Sequence, residues 1–97
     1  MEALKVQLEM KPQFLIGLPP KIAENIGFQL INGHPYMTYD TKETCLRVFH
    51  KFYCIPDGDE APCDAVEFGT MVIKGKRHTY FYAGEVQLKF NCPLPSP

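Results

Sequence analysis

His50 and Cys54 stand four residues apart, and Cys63 follows in an acidic, proline-containing stretch, so three soft metal donors fall close together in the chain. If residues 41–54 are helical, His50 and Cys54 share an exposed face, and Cys63 in the next loop becomes a third ligand for zinc. A closed zinc site takes four donors, and neither a CxxC knuckle nor an HxxxH pair supplies the fourth. The expectation is therefore no cofactor, with a zinc-stabilised domain held by His50, Cys54 and Cys63 as an alternative. A small enzyme is a further alternative, and the histidines the chain offers it are His34, His50 and His78. These fall on separate elements, and none neighbours a serine or cysteine in a nucleophile motif, so no catalytic residue is assigned. The stretch with Asp57, Gly58, Asp59, Glu60 and Asp64 resembles a calcium loop in composition only. It lacks the regular alternation of oxygen ligands and the fixed glycine and glutamate positions. It reads instead as a solvated connection, which Pro56 and Pro62 would also stiffen into a second candidate contact, with Asp57, Asp59 and Glu60 meeting a basic partner.

Residues 66–92 read as a three-stranded meander with turns at Lys74-Gly75 and Ala83-Gly84. That register places Tyr80 opposite Gly69 and Gln87, Tyr82 opposite Glu67 and Glu85, and His78 opposite Met71 and Lys89. Period-2 geometry then turns Val66, Phe68, Thr70, Val72, Thr79 and Phe81 inward and leaves Met71, Ile73, His78, Tyr80 and Tyr82 on an outer face. Tyrosines concentrate in contact sites because they bring stiff apolar area with a polar tip. Strand propensity and local cross-strand pairing are the plainer account of the same residues. The strand also interleaves Lys74, Lys76 and Arg77 with Tyr80 and Tyr82, a pattern by which single-stranded nucleic acid is held and stacked. Glu67 and Glu85 beside Tyr82 count against it, as does a formal net charge of −1, which provides no global basic field.

The elements that must position these residues come from one domain of 97 residues, 45% apolar and 22% charged, enough to bury roughly 60 to 70% of its unfolded surface. Leu4, Val6, Leu8 and Met10 alternate with polar residues as a half-buried strand, which Phe14, Leu15 and Ile16 resume after Pro12. Residues 19–26 suggest a short helix between Pro19-Pro20 and Gly27. Asn32-Gly33 joins 28–31 to 34–39 as a hairpin, with Pro35 calling for an edge position. Residues 41–54 suggest the main helix, capped by Asp40 with Glu43 three residues on, and burying Cys45, Leu46, Val48, Phe49, Phe52 and Tyr53. Residues 93–97 read as an extended proline-rich tail. The fold class expected is α+β, an antiparallel sheet of five to six strands packed on the 41–54 helix.

No signal-like segment or membrane-spanning apolar run is visible, and four cysteines in a cytosolic chain are expected to be reduced. The function expected is a small non-catalytic protein-binding domain, a regulator or inhibitor of a larger protein assembly. A phage-encoded protein that occludes a host defence nuclease is one example of that class, which no residue pattern selects over an endogenous adaptor. Its contacts are Met71, Ile73, His78, Tyr80 and Tyr82 with Asp57, Asp59 and Glu60, for a protein partner or a second copy of the chain. The alternative is single-stranded nucleic-acid binding through Lys74, Lys76, Arg77, Tyr80 and Tyr82.

Overall fold

Two tight turns organise the chain. Asn32 and Gly33 have φ of 53° and 80°, and Lys74 and Gly75 have φ of 52° and 80°. Left-handed backbone at both central residues matches a two-residue turn to the twist of its strands, which is why Asn-Gly and a Gly-containing pair occupy these corners. Each is flanked by strands in the register read from the sequence, Ile31 opposite His34 and Ile73 opposite Lys76.

The computed structural model describes residues 4–22, 26–40 and 47–86, and all of its regular structure is strand. Seven strands form: β1 (Leu4–Gln7), β2 (Gln13–Leu18), β3 (Gly27–Ile31), β4 (His34–Tyr39), β5 (Val48–Pro56), β6 (Val66–Ile73) and β7 (Lys76–Val86). They make two antiparallel sheets, one of three strands in the order β1-β4-β3 and one of four in the order β2-β5-β7-β6. One apolar cluster lies between them. Leu8, Ile22, Met37 and Tyr39 approach from the side of the smaller sheet, and Phe14, Leu18, Phe52, Cys54, Met71, Tyr80 and Tyr82 from the larger. Among the described residues no helix is long and apolar enough to cross a membrane.

The α+β expectation is therefore corrected to an all-β architecture, and the reason is clearest in β5. Its residues 48–54 fall in the expected 41–54 helix, yet their burial alternates: His50, Phe52 and Cys54 are buried and Phe49, Lys51 and Tyr53 lie on the other side. A short run rich in valine, isoleucine and aromatics fits either period, and here two strand partners decide it. β5 sits between β2 and β7 and exchanges ladder bonds with both. Residues 41–46, the first half of the expected helix with Glu43 and Cys45, lie outside the described residues. The expected 19–26 helix is also absent where it can be seen. Lys21 has a φ of 60°, incompatible with a right-handed helix, and Pro19–Ile22 runs as an irregular strap whose Ile22 is buried; residues 23–25 lie outside the described residues.

Two further corrections concern pairing. Pro35 was expected on an edge, but β4 is the central strand of its sheet. It is tolerated because the β1 ladder ends at Gln7 opposite Tyr36, and beyond it Pro35 needs only to accept, its carbonyl taking the Leu8 N–H at 2.9 Å. The turn expected at Ala83-Gly84 is a β-bulge instead. β7 runs straight through it to pair with β5, with Lys51 opposite Gly84 and Phe52 opposite Tyr82, and Gly84 takes up the irregularity at a φ of 95°. The third strand of the expected meander, together with Cys92 and the 93–97 tail, extends into residues 87–97, outside the described residues.

Candidate functional site

Tyr80 and Tyr82 face inward. The expected pairs Tyr80 with Gly69 and His78 with Met71 are formed, but a second bulge between Glu67 and Gly69 moves Tyr82 opposite Val66. The tyrosine side is the reverse of that expected: Tyr80 is completely buried and Tyr82 and Met71 are 8% exposed, while Thr70 and Val72 point to solvent; Phe68, expected inward, does pack against the core, and Phe81 is 9% exposed. A tyrosine can be buried when its hydroxyl is bonded, and both hydroxyls are. Tyr80 donates to the Glu9 carbonyl at 2.9 Å, and Tyr82 meets Nδ1 of His50 at 2.8 Å. Around Tyr80 the rings of Phe14, Phe28 and Phe68 pack at centroid distances of 6.3, 5.6 and 6.2 Å. The expected exposed tyrosine face is thus the centre of the core. Ile73 and His78 are half-buried near the β6–β7 turn, where Nδ1 of His78 bonds the Lys76 carbonyl.

His50, read as an exposed ligand, is fully buried and bonded at both nitrogens. Nε2 lies 2.9 Å from the Pro19 carbonyl, which can only accept, so Nε2 donates there, while Nδ1 shares the second hydrogen bond with the Tyr82 hydroxyl. The strap above is tied a second time, by the Lys21 N–H donating to Glu85 Oε2 at 2.7 Å. His50 and Cys54 do lie on one side of β5, but two strand repeats separate them by about 13 Å, and Cys63 is exposed in the β5–β6 loop. The three zinc candidates are not brought together, and the described residues contain no group of three or more metal-ligating side chains. His34 is exposed on β4, away from both other histidines in the sheet order.

Burial raises the pKa of three groups in this interior. It lifts the Cys54 thiol, opposed by a hydrogen bond with Tyr80. Burial is also the first cause for Tyr80, with Cys54 adding, and it pushes Tyr82 up to about 12 with help from the Glu85 charge. Since the folded chain holds these protons longer than the unfolded one, their contribution is complete below the ordinary cysteine and tyrosine range and disappears as pH rises through the raised values. Stability measured by urea unfolding should therefore fall from about pH 9 upward, and Tyr82→Phe should flatten that fall by up to roughly 3 kcal/mol. An unchanged pH slope in the variant would show that Tyr82 does not contribute to it.

The solvent side of the larger sheet carries the residues that the tyrosine reading displaced. Leu15 on β2, Phe49 on β5 and Val72 on β6 are 44%, 43% and 62% exposed, with Tyr53 and Ile55 half-buried on the same side of β5. Gly17 stands opposite Phe49, whose Cε1 lies 4.0 Å from where a Cβ on Gly17 would be, so the ring leans over the glycine. Lys51 reaches across Tyr53, its Nζ 5.1 Å from the ring centroid. Its ammonium is held charged above the usual lysine range by a hydrogen bond and charge interaction with Tyr53, with burial opposing and Asp64 assisting. The acidic loop folds back along this face. Asp57 binds Nε of Arg77 at 3.1 Å and donates its backbone N–H to the Arg77 carbonyl, while Asp59 and Glu60 are exposed.

The cations and tyrosines of the nucleic-acid alternative are consequently separated. Lys74 and Lys76 are exposed at the β6–β7 turn, Arg77 is on the outer face against Asp57, and both tyrosines are inside. Leu15, Phe49 and Val72 were not read as surface residues. The signal available was the alternation from Val48 to Cys54, which marks Phe49 and Tyr53 as sharing a side once that segment is read as a strand. Compared with family models, curated proteins and solved structures, the chain matches none.

Proposed function

We propose that this chain is a small non-catalytic protein-binding domain that regulates or inhibits a larger protein assembly, and that it meets its partner through the outer face of the four-stranded sheet and the acidic β5–β6 loop. The observation that carries this reading is the exposure of Leu15, Phe49 and Val72 on one solvent-facing sheet surface. A sheet face that meets only water usually alternates to polar residues, so exposed apolar side chains along it, Leu15 and Phe49 toward one end and Val72 toward the other, support an interaction surface. Phe49 and Tyr53 are the residues suited to anchor such a contact, since aromatics dominate interface energetics. Cytosolic placement is part of the same proposal; there a reducing environment would keep Cys54 and Cys63, unpaired among the described residues, as thiols.

The test is affinity capture from the source cells, with nuclease, comparing wild type with Leu15→Ser/Phe49→Ser. The variant should keep its melting temperature and lose the captured protein, a loss of about 1 to 3 kcal/mol in binding. A partner retained undiminished by the folded variant would remove this face from the proposal, and capture abolished by nuclease would favour nucleic acid.

A further inference from the structure

The end of the outer face nearest the acidic loop is a depression of ≈ 180 Å³, floored by Ile55, Thr79 and Phe81 and rimmed by Asp57 and Asp59. Its charges are unequally matched. Asp57 is occupied by Arg77, and Asp64 lies near enough to Lys51 to strengthen its charge. Asp59 and Glu60 make no ion pair among the described residues. The loop therefore presents one uncompensated carboxylate, Asp59, directly beside the apolar side chains of Ile55 and Phe81. Such a pair of features complements one kind of side chain, a long apolar stem ending in a cation. It also repels phosphate, so the charge that attracts a basic protein segment disfavours a nucleic acid or an anionic membrane. The chain already contains one example of the contact, the Arg77 guanidinium against Asp57 at 3.1 Å.

We infer that the depression receives an arginine side chain of the partner protein, with the guanidinium on Asp59 and the stem on Ile55 and Phe81. The inference rests on the protein-binding reading and adds the chemistry of the partner. Arginine suits the position better than lysine because its planar, weakly hydrated head tolerates a half-sheltered site. The apolar part of the same segment lies along β5 toward Phe49 and Leu15. Phe49 and Ile55 are six residues apart on one strand, which sets about 20 Å between an apolar anchor and the arginine, the length of seven extended residues.

Two blocked heptapeptides test this on the full-length chain, one of sequence LSTSTSR and one with citrulline, the neutral isostere, replacing arginine. Amide shifts in two-dimensional NMR report each titration at low salt. The arginine peptide should move Leu15 and Phe49 together with Asp59, Ala61, Thr79 and Phe81, and bind up to about fivefold more tightly than the citrulline peptide. Asp59→Asn, at an exposed position that leaves the fold intact, should erase that ratio. Equal binding of both peptides at Leu15 and Phe49 would overturn the arginine site while the protein-binding face stands. Failure of both peptides to shift any outer-face amide would overturn the two together, and an arginine advantage that persists in Asp59→Asn would place the cation elsewhere and overturn the inference.

Discussion

His50→Ala is expected to lower the unfolding free energy by about 4 kcal/mol, a large part of the total of a domain this size. The substitution removes a completely buried ring and leaves the Pro19 carbonyl and the Tyr82 hydroxyl without partners in a place water does not reach. An unmade bond to a buried group costs more than the made bond contributes, so the orphaned acceptor and donor add to the cavity. The loss should be local before it is global. With Pro19 released, the Lys21–Glu85 hydrogen bond is the remaining polar tie on the strap among the described residues, and the buried Ile22 loses cover. Hydrogen exchange at the Lys21 amide should accelerate in the variant under conditions where β5 and β7 remain protected. Tyr82→Phe should cost about 1 to 2 kcal/mol alone and almost nothing further in the His50→Ala background, because the interaction it removes is already gone. Urea unfolding of the four proteins closes the cycle. A His50→Ala effect below about 1 kcal/mol, or strict additivity with Tyr82→Phe, would mean that this pair does not hold the strap to the sheet.

The second large effect belongs to a glycine. Gly69→Ala should destabilise the domain by about 3 kcal/mol, because a Cβ at this position would overlap Cβ, Cγ and Cδ1 of Phe28. Those atoms are at the root of the side chain, so no rotation of a distant tip relieves the clash. Phe28 belongs to β3 of the smaller sheet, and its ring packs against Tyr80 and Phe68 of the larger. Gly69 is thus a point of close approach between the two sheets, and moving Phe28 disturbs the aromatic group at the centre of the core. Phe28→Ala alone should also be destabilising, through the cavity it opens, but combining it with Gly69→Ala should cost distinctly less than the sum. Chemical denaturation of the single and double variants measures this directly. A fully additive double variant would show that the alanine is accommodated without displacing Phe28.

Gly69 also shows how far reading along the chain could go. Its pairing with Tyr80 was legible from the position of the Lys74-Gly75 turn, since a two-residue turn sets the register of everything behind it. What covers it was not, because Phe28 arrives from a strand some forty residues earlier. The same distinction separates the pairings that were found from the faces that were reversed. Thr79 and Phe81 alternate with Tyr80 and Tyr82, and both sets carry enough apolar surface to be buried. The choice between them depends on hydroxyl partners supplied by Glu9 and His50, residues remote in sequence. Once the tyrosines turn inward, the surface tyrosine face disappears, and the solvent side of the sheet falls to Leu15, Phe49, Tyr53 and Val72 instead. Of the contact residues read from sequence, the acidic group Asp57, Asp59 and Glu60 is exposed in the β5–β6 loop, as prolines and successive carboxylates in a linker require.

Local chemistry along the chain determined the corners and the strands beside them. Asn32-Gly33 and Lys74-Gly75 adopt left-handed backbone because few other residues can, and the alternation of Leu4 to Leu8 is a property of the residues themselves. Tertiary structure alone decided that Val48–Pro56 is a strand rather than a helix, that β7 passes Gly84 to reach β5, and which side of each strand is buried. Those outcomes depend on ladder bonds and hydroxyl partners contributed by distant segments. A run of aromatic and branched residues satisfies helical and strand periods alike until a partner strand closes its backbone bonds, and a tyrosine belongs inside only where another part of the chain meets its hydroxyl.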